Sequence, residues 1–278
     1  MPLATLADIL PLANREHRAI AGLVCLGWED ASAYAMAAQD LGAPIILQAG
    51  PSARAHMPLS VWGAVFRHLG ERARVPIVAH LDHGKTRSEC EEAIRAGFTS
   101  VMFDGSALPL DENIAQTAAI VRLARDAGVS CEGEIGFVGY AAGEREAEAS
   151  AMTDPDEAAR FARESGVDAM AVSVGNVHLQ ATGASDIAFD AVAAIQERTD
   201  VPLVIHGASG VPYAQRQRLA RETSVAKLNV GTELRRLFGD TLRGVLDEHP
   251  ERFDRIAILR DTVEPLRAAA REVIAALR

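Results

Sequence analysis

The sequence predicts an α/β chain folded as a (β/α)8 TIM barrel with extra C-terminal helices, and three observations lead there. Short apolar runs alternate with longer helical segments eight times over about 250 residues, the length such a barrel needs. Several helical segments stop on a glycine just before the next apolar run, as at Gly97, Gly128 and Gly166. No Gly-x-Gly-x-x-Gly follows an early strand, which counts against an open doubly wound sheet.

Taken in order, the β-branched and apolar runs at 20–24, 44–48, 77–80, 100–103, 130–134, 169–174, 203–206 and 226–229 read as buried strands. Between them, 87–96, 112–127, 156–165 and 188–197 carry helical periodicity. Thr153-Asp154-Pro155 supplies a capping residue before a proline suited to a first helical turn. Residues 256–277 form helical matter beyond the barrel, expected to pack outside it or against another subunit. No linker or composition break divides the chain, so residues 1–278 are expected to form a single barrel domain. The glycine-rich, then Glu/Ala-rich stretch 136–152 interrupts the rhythm after the fifth strand and reads as either a disordered excursion or a functional lid, the lid being favoured by the site residues on the same barrel face.

A formal net charge of −10 argues against a nucleic-acid partner but leaves room for a small phosphorylated ligand in a locally positive pocket. Cys25, Cys90 and Cys131 are odd in number and lack paired spacing, which suits buried thiols in a reducing compartment. No signal-peptide pattern or membrane-length apolar run appears, so a cytoplasmic location without membrane contact is expected.

Function in such a barrel sits at the carboxyl ends of the strands. Three predicted strands finish at or near a histidine: His83 after Asp82, His178 and His206. Each alone is readily a core or loop residue. Three strand ends together could aim three imidazoles at one divalent ion, zinc being well suited, with a position left for substrate. The same rim carries Asp104, Glu134, Asn176 and Asn229. Turns at His206-Gly-Ala-Ser-Gly210 and Asn229-Val-Gly-Thr-Glu233 follow strands seven and eight, where barrels often hold phosphate. Read otherwise, they are tight turns with Ser209 and Thr232 as helix caps. Alternation along an extended strand would send Asp82 and His83 to opposite faces, so the third strand must already be turning there.

With these pieces assembled, the chain resembles the class II, metal-dependent ketose-bisphosphate aldolases, such as fructose-bisphosphate and tagatose-bisphosphate aldolases. The resemblance rests on His80-Leu-Asp-His-Gly84, Val101-Met-Phe-Asp-Gly-Ser106, Glu132-Gly-Glu-Ile-Gly136, Gly175-Asn-Val-His178, His206-Gly-Ala-Ser-Gly210 and Lys227-Leu-Asn-Val-Gly-Thr-Glu-Leu234. It implies reversible cleavage of a phosphorylated ketose to dihydroxyacetone phosphate and an aldehyde through a zinc-stabilised enediolate. His83, His178 and His206 match the zinc ligands, another divalent metal being an alternative. Asp82 matches the acid that moves a proton at the C4 hydroxyl. Asp104 and Glu134 match carboxylates that orient ligands or hold an alternative metal position. Gly207, Ser209, Asn229 and Thr232 match residues around the ketose phosphate. The resemblance also implies a homodimer or homotetramer.

The chain departs from the family's usual pattern in three places, one being the absence of the family's frequent Gly-Ser tail. Leu179-Gln180 follow the second histidine where the family usually has glycine and often lysine, at a loop that meets phosphate and a monovalent cation; whether such a cation binds here stays open. Ala21-Gly-Leu-Val-Cys25 stands where the family has an Ala-Phe-Asn type sequence. Two other readings therefore stand beside it: a sugar-phosphate-binding barrel without turnover or with altered specificity, and an aldolase for a ketose lacking the usual second phosphate. A Schiff-base aldolase would need a lysine, and Lys227 in the eighth strand is the reasonable candidate, since Lys85 is the only other lysine.

Overall fold

The computed structural model describes residues 3–139, 150–179 and 184–278. In chain order the elements are α1 (Leu6–Arg15), β1 (Ile20–Val24), α2 (Trp28–Leu41), β2 (Ile45–Ala49), α3 (Pro51–His56), α4 (Leu59–Arg72), β3 (Ile77–Gly84), α5 (Arg87–Arg95), β4 (Ser100–Phe103), α6 (Leu110–Asp126), β5 (Ser130–Ile135), α7 (Pro155–Ser165), β6 (Ala169–Val172), α8 (Phe189–Gln196), β7 (Leu203–Ile205), α9 (Tyr213–Glu222), β8 (Val225–Val230), α10 (Thr232–Glu248), α11 (Arg255–Arg260) and α12 (Val263–Ala276). All eight strands are parallel, pair in chain order and close β8 onto β1. This is the barrel expected from the alternation, with some strand ends shifted. β3 runs on past His80 to Gly84, whereas β6 stops at Val172 and β7 at Ile205.

The barrel interior is layered. At its N-terminal end, Ile20, Ile46, Val78, Ala169, Val204 and Ala226 pack against Leu6, Ile9 and Leu10 of α1, forming a dry floor. Thr5 starts α1 with a capping box to Asp8, and the Leu6 amide donates to Ser130 Oγ at 2.9 Å, fixing the plug to β5. Above this floor the interior turns polar, with Gln48, His80, Glu132, Lys227 and His206 all fully buried. Glycine, capping and apolar patterning therefore build a scaffold whose upper half is available for chemistry.

Helices cover the outside. Asp154 caps α7 by accepting from the amides of Asp156 and Glu157, and Gly166 closes it in the left-handed conformation that an L side chain resists. The C-terminal α12 packs on α2, where Arg267 pairs with Asp40 at 2.7 Å. Within the chain this segment packs outside the barrel. The three cysteines are free and buried, and burial pushes their thiols up, Cys90 to about 12. Residues 140–149 of the expected lid lie outside the described residues. Its two ends pair antiparallel, Phe137 and Ala151 exchanging backbone bonds of 2.9 and 2.8 Å.

Gly63 on α4 faces the end of α5, where an added Cβ would lie 2.0 Å from the Ala96 carbonyl oxygen. Gly63→Ala is expected to destabilise the barrel by about 1–3 kcal/mol through overpacking, despite its better helix propensity. Urea unfolding measures this; an unchanged or raised midpoint would contradict the packing assigned to α4 and α5.

Candidate active site

The site begins with a distortion of β3. The β3–β4 register shifts between Leu81 and Gly84, and His83 has a φ of +53°, unusual for a residue with a side chain. This turn lets both Asp82 and His83 reach the cleft. Arg54 of α3 braces it, donating to the Asp82 carbonyl at 2.9 Å and the His83 carbonyl at 2.8 Å while pairing with Glu89 at 3.0 Å. Asp82 is buried at the cleft wall, and Gln48 Nε2 donates to its Oδ1 at 2.8 Å.

The other two histidines come from loops beyond β6 and β7. Asn176 bridges them: its Oδ1 accepts from the Val174 amide at 2.8 Å, and its Nδ2 donates to the His206 carbonyl at 3.0 Å. The His178 amide donates to the Gly139 carbonyl at 2.8 Å, joining this loop to the base of the 136–152 stretch. Ring centroids of His83, His178 and His206 lie 4.7–5.5 Å apart, and one nitrogen from each falls within 4.8 Å of the others. His83 Nε2 and His206 Nδ1 face each other at 3.0 Å.

Asp104 and Glu134 sit on the opposite edge of the His83 ring. Asp104 Oδ2 meets His83 Nδ1 at 2.7 Å and Lys85 Nζ at 2.6 Å. Glu134 Oε2 is buried without a hydrogen-bond partner, 3.7 Å from His83 Nδ1 and 3.9 Å from His206 Nδ1. The five candidate ligands thus form two overlapping groups that share His83: the three histidines, and His83 with the two carboxylates. Three imidazole nitrogens suit zinc, and an unpartnered buried carboxylate oxygen beside them is a further hard donor, so these residues fit a divalent cation.

The charges are strongly coupled. Burial pulls the His83 imidazole down, but Asp82, the hydrogen bond it donates to Asp104 and the Glu134 charge outweigh it, leaving it at about 9. Burial and the nearby Asp104 charge push Glu134 up to about 8. Burial raises Asp104, yet His83 and Lys85 overcome it and hold that carboxyl well below its usual range. Burial and the charge of His83 lower His178 and His206, keeping both neutral and able to ligate.

Beside the histidines, the β7 and β8 turns shape a cradle. Gly207 is left-handed, with φ of +64°, and an added Cβ would lie 2.2 Å from the Val177 carbonyl oxygen, so the turn needs glycine. Ser209 Oγ accepts from the amides of Gly231 at 3.1 Å and Glu233 at 3.3 Å. It therefore works as a cap joining the two turns, with its own hydroxyl proton left to donate. Asn229 and Thr232 line the same cleft. Arg216 ties the turns together from behind, pairing with Glu233 at 2.8 Å and donating to the Ser209 carbonyl at 3.0 Å.

Several cleft residues were not anticipated. Arg235 is the one lysine or arginine lining it among the described residues. Its spacing from Thr232 on α10 is the i, i+3 relation that could have revealed it. Val24 was visible only as a strand residue, as was Gln48, which stands behind Asp82 and outside the cleft lining, while Glu132 stood in the Glu132-Gly-Glu-Ile-Gly136 stretch without a role. Leu179 lines the cleft with φ of +54°, so this chain keeps a left-handed backbone there while carrying a bulky side chain, at a cost of about 1–2 kcal/mol. Gln180 lies outside the described residues.

The family model for class II fructose-bisphosphate aldolase matches residues 4–278. A 6-phospho-5-dehydro-2-deoxy-D-gluconate aldolase of Shouchella clausii is 35% identical over 279 residues, covering 99% of this chain and 94% of the relative. A probable fructose-bisphosphate aldolase of Bacillus subtilis is 33% identical over 277 residues, covering 99% and 95%. The crystal structure of the YdjI aldolase from Escherichia coli K12 superposes with a TM-score of 0.85 at 27% identity, covering 99% and 97%.

The geometry and charges of His83 give a pH prediction. The imidazolium proton on Nε2 occupies the nitrogen a cation would use, so divalent-ion affinity should climb as pH rises toward about 9 and level off above it. Titration calorimetry in buffers of differing ionisation enthalpy should show proton release near neutrality. Affinity independent of pH, with no proton released, would contradict the assignment.

Proposed function

From the premise that the chain belongs to the class II fructose-bisphosphate aldolase family, we propose that this aldolase is zinc-dependent and reversibly cleaves a phosphorylated ketose to dihydroxyacetone phosphate and an aldehyde. The observation that carries the proposal is the meeting of His83, His178 and His206 beside Asp82 at the carboxyl ends of the barrel strands.

These histidines would hold the cation, with Asp104 fixing His83 through Nδ1 and Glu134 in reserve as an oxygen donor. Bound there, zinc would act as a Lewis acid on the negative charge that cleavage leaves on the ketone end of the substrate. Asp82 would accept the C4 hydroxyl proton as the C3–C4 bond breaks and its electron pair stays on C3. Gln48 orients that carboxylate. Gly207, Ser209, Asn229 and Thr232 would take the ketose phosphate, with Arg235 supplying positive charge that the loop at Gln180 does not. The fully buried Lys227 pairs with Glu132 and does not line the cleft, while Lys85 pairs with Asp104; both facts disfavour a Schiff-base route.

One observation favours an aldolase for a ketose lacking the usual second phosphate. Val24 and Leu179 present apolar surface to the cleft, which suits a substrate arm poorer in polar groups. The relatives are named for both a bisphosphate and a deoxy-sugar monophosphate.

We place the enzyme in the cytoplasm as a homodimer or homotetramer. The buried thiols support a reducing compartment, and the exposed Phe253 and Ile256 near α11 support an interface; a single-chain mass in light scattering would refute assembly. Among the described residues no helix is long and apolar enough to cross a membrane.

Cleavage is tested with fructose 1,6-bisphosphate, tagatose 1,6-bisphosphate and 6-phospho-5-dehydro-2-deoxygluconate, reading dihydroxyacetone phosphate release. Chelation should abolish turnover and zinc restore it, and Asp82→Asn should lower kcat by about 10²–10⁴-fold. Full activity after chelation, or in the Asp82 variant, would sink the proposal.

A further inference from the structure

Directly beneath the three histidines lies a buried charged layer with no part in the mechanism above. Lys227 of β8, Glu132 of β5 and His80 of β3 are all fully buried. Glu132 divides its two oxygens between different partners: Oε2 accepts from Lys227 Nζ at 2.6 Å, and Oε1 meets His206 Nε2 at 3.0 Å. Lys227 Nζ also lies 3.2 Å from His80 Nε2, and His80 Nδ1 lies 2.8 Å from Ser100 Oγ. A buried ion pair seldom stabilises a fold better than apolar side chains of the same volume would, so stability alone is a poor reason for this one.

Donor and acceptor accounting assigns the protons. An ammonium has only donors, so His80 Nε2 must accept from Lys227, and His80 Nδ1 carries the ring proton toward Ser100. Glu132, paired to that ammonium, offers Oε1 as an acceptor, so His206 Nε2 must carry the proton it donates. His206 Nδ1 is then bare, and it is the nitrogen that faces His83 Nε2 across the point where the three imidazoles meet.

We propose that the Lys227–Glu132 pair is a positioning device that locks His206 in the Nε2–H tautomer and aims its bare Nδ1 at the cation. Lys227 keeps the carboxylate in place, and the carboxylate orients the ring and raises its basicity, as outer-shell carboxylates do for metal-binding histidines. Neither Lys227 nor Glu132 lines the cleft, so they would act only through His206. The proposal rests on the reading that the three histidines hold a divalent cation.

Two measurements test it. In the metal-free full chain with ¹⁵N-labelled histidine, long-range proton–nitrogen correlation spectra should show His206 as the Nε2–H tautomer; the Nδ1–H tautomer would overturn the proposal without any mutation. Lys227→Met combined with Glu132→Leu removes both charges together, leaving neither unpaired. Zinc affinity, measured by competition with a chromophoric chelator, should weaken about 10–100-fold, while the metal-free melting temperature holds or rises. Zinc affinity unchanged in the folded double variant would mean the pair is only structural and would overturn the proposal. A wild-type chain that binds no zinc would sink the parent reading and this proposal with it, an outcome separable from the other two.

Discussion

Adjacent residues on an extended strand point to opposite faces, yet this site needs Asp82 and His83 on one side. The left-handed backbone at His83 and the shifted register between β3 and β4 resolve that conflict. A positive φ at a residue with a side chain persists only where its surroundings hold it. Arg54 holds it by donating to both carbonyls of the turn, and Glu89 holds Arg54. The acid that would move the proton and the imidazole that would bind the cation are therefore set by one backbone distortion.

Around that turn, two of the histidine rings are held from behind by carboxylates. Each imidazole whose contacts can be traced uses one nitrogen for orientation and points the other inward: His83 through Asp104, His206 through Glu132. Asp104 stands behind the His83 ring and Glu132 behind that of His206, with Glu134 between them and its Oε2 without a hydrogen-bond partner. This makes the site acidic enough to attract a cation while burial keeps His178 and His206 neutral. The polar upper layer of the barrel sits on a dry floor closed by α1, so these charges interact at low dielectric and position one another strongly.

The cradle beside them follows a different logic, using backbone amides and one cap. Ser209 joins the β7 and β8 turns, Gly207 lets the His178 loop approach, and Arg216 braces the pair. Leu179 has a left-handed backbone but adds apolar bulk, and Val24 at the end of β1 adds apolar surface to the same cleft. Both side chains line the cleft together with His83 and His178.

The sequence by itself determined the barrel, because strand runs, helix caps and glycine stops are local signals with fixed periods. It also marked Asp82, His83, His178 and His206 as strand-end residues of the right chemical type. The tertiary structure decided which nitrogen faces which partner. His206 meets Glu132 from 74 residues away, Lys227 meets the same carboxylate from 95, and His83 meets His206 from 123. Those meetings depend on register summed around a closed barrel, which no local pattern encodes. The same reason gave Glu132 and Glu134, two residues apart on one strand, different surroundings: the first reaches down to Lys227, the second remains beside the histidine rings.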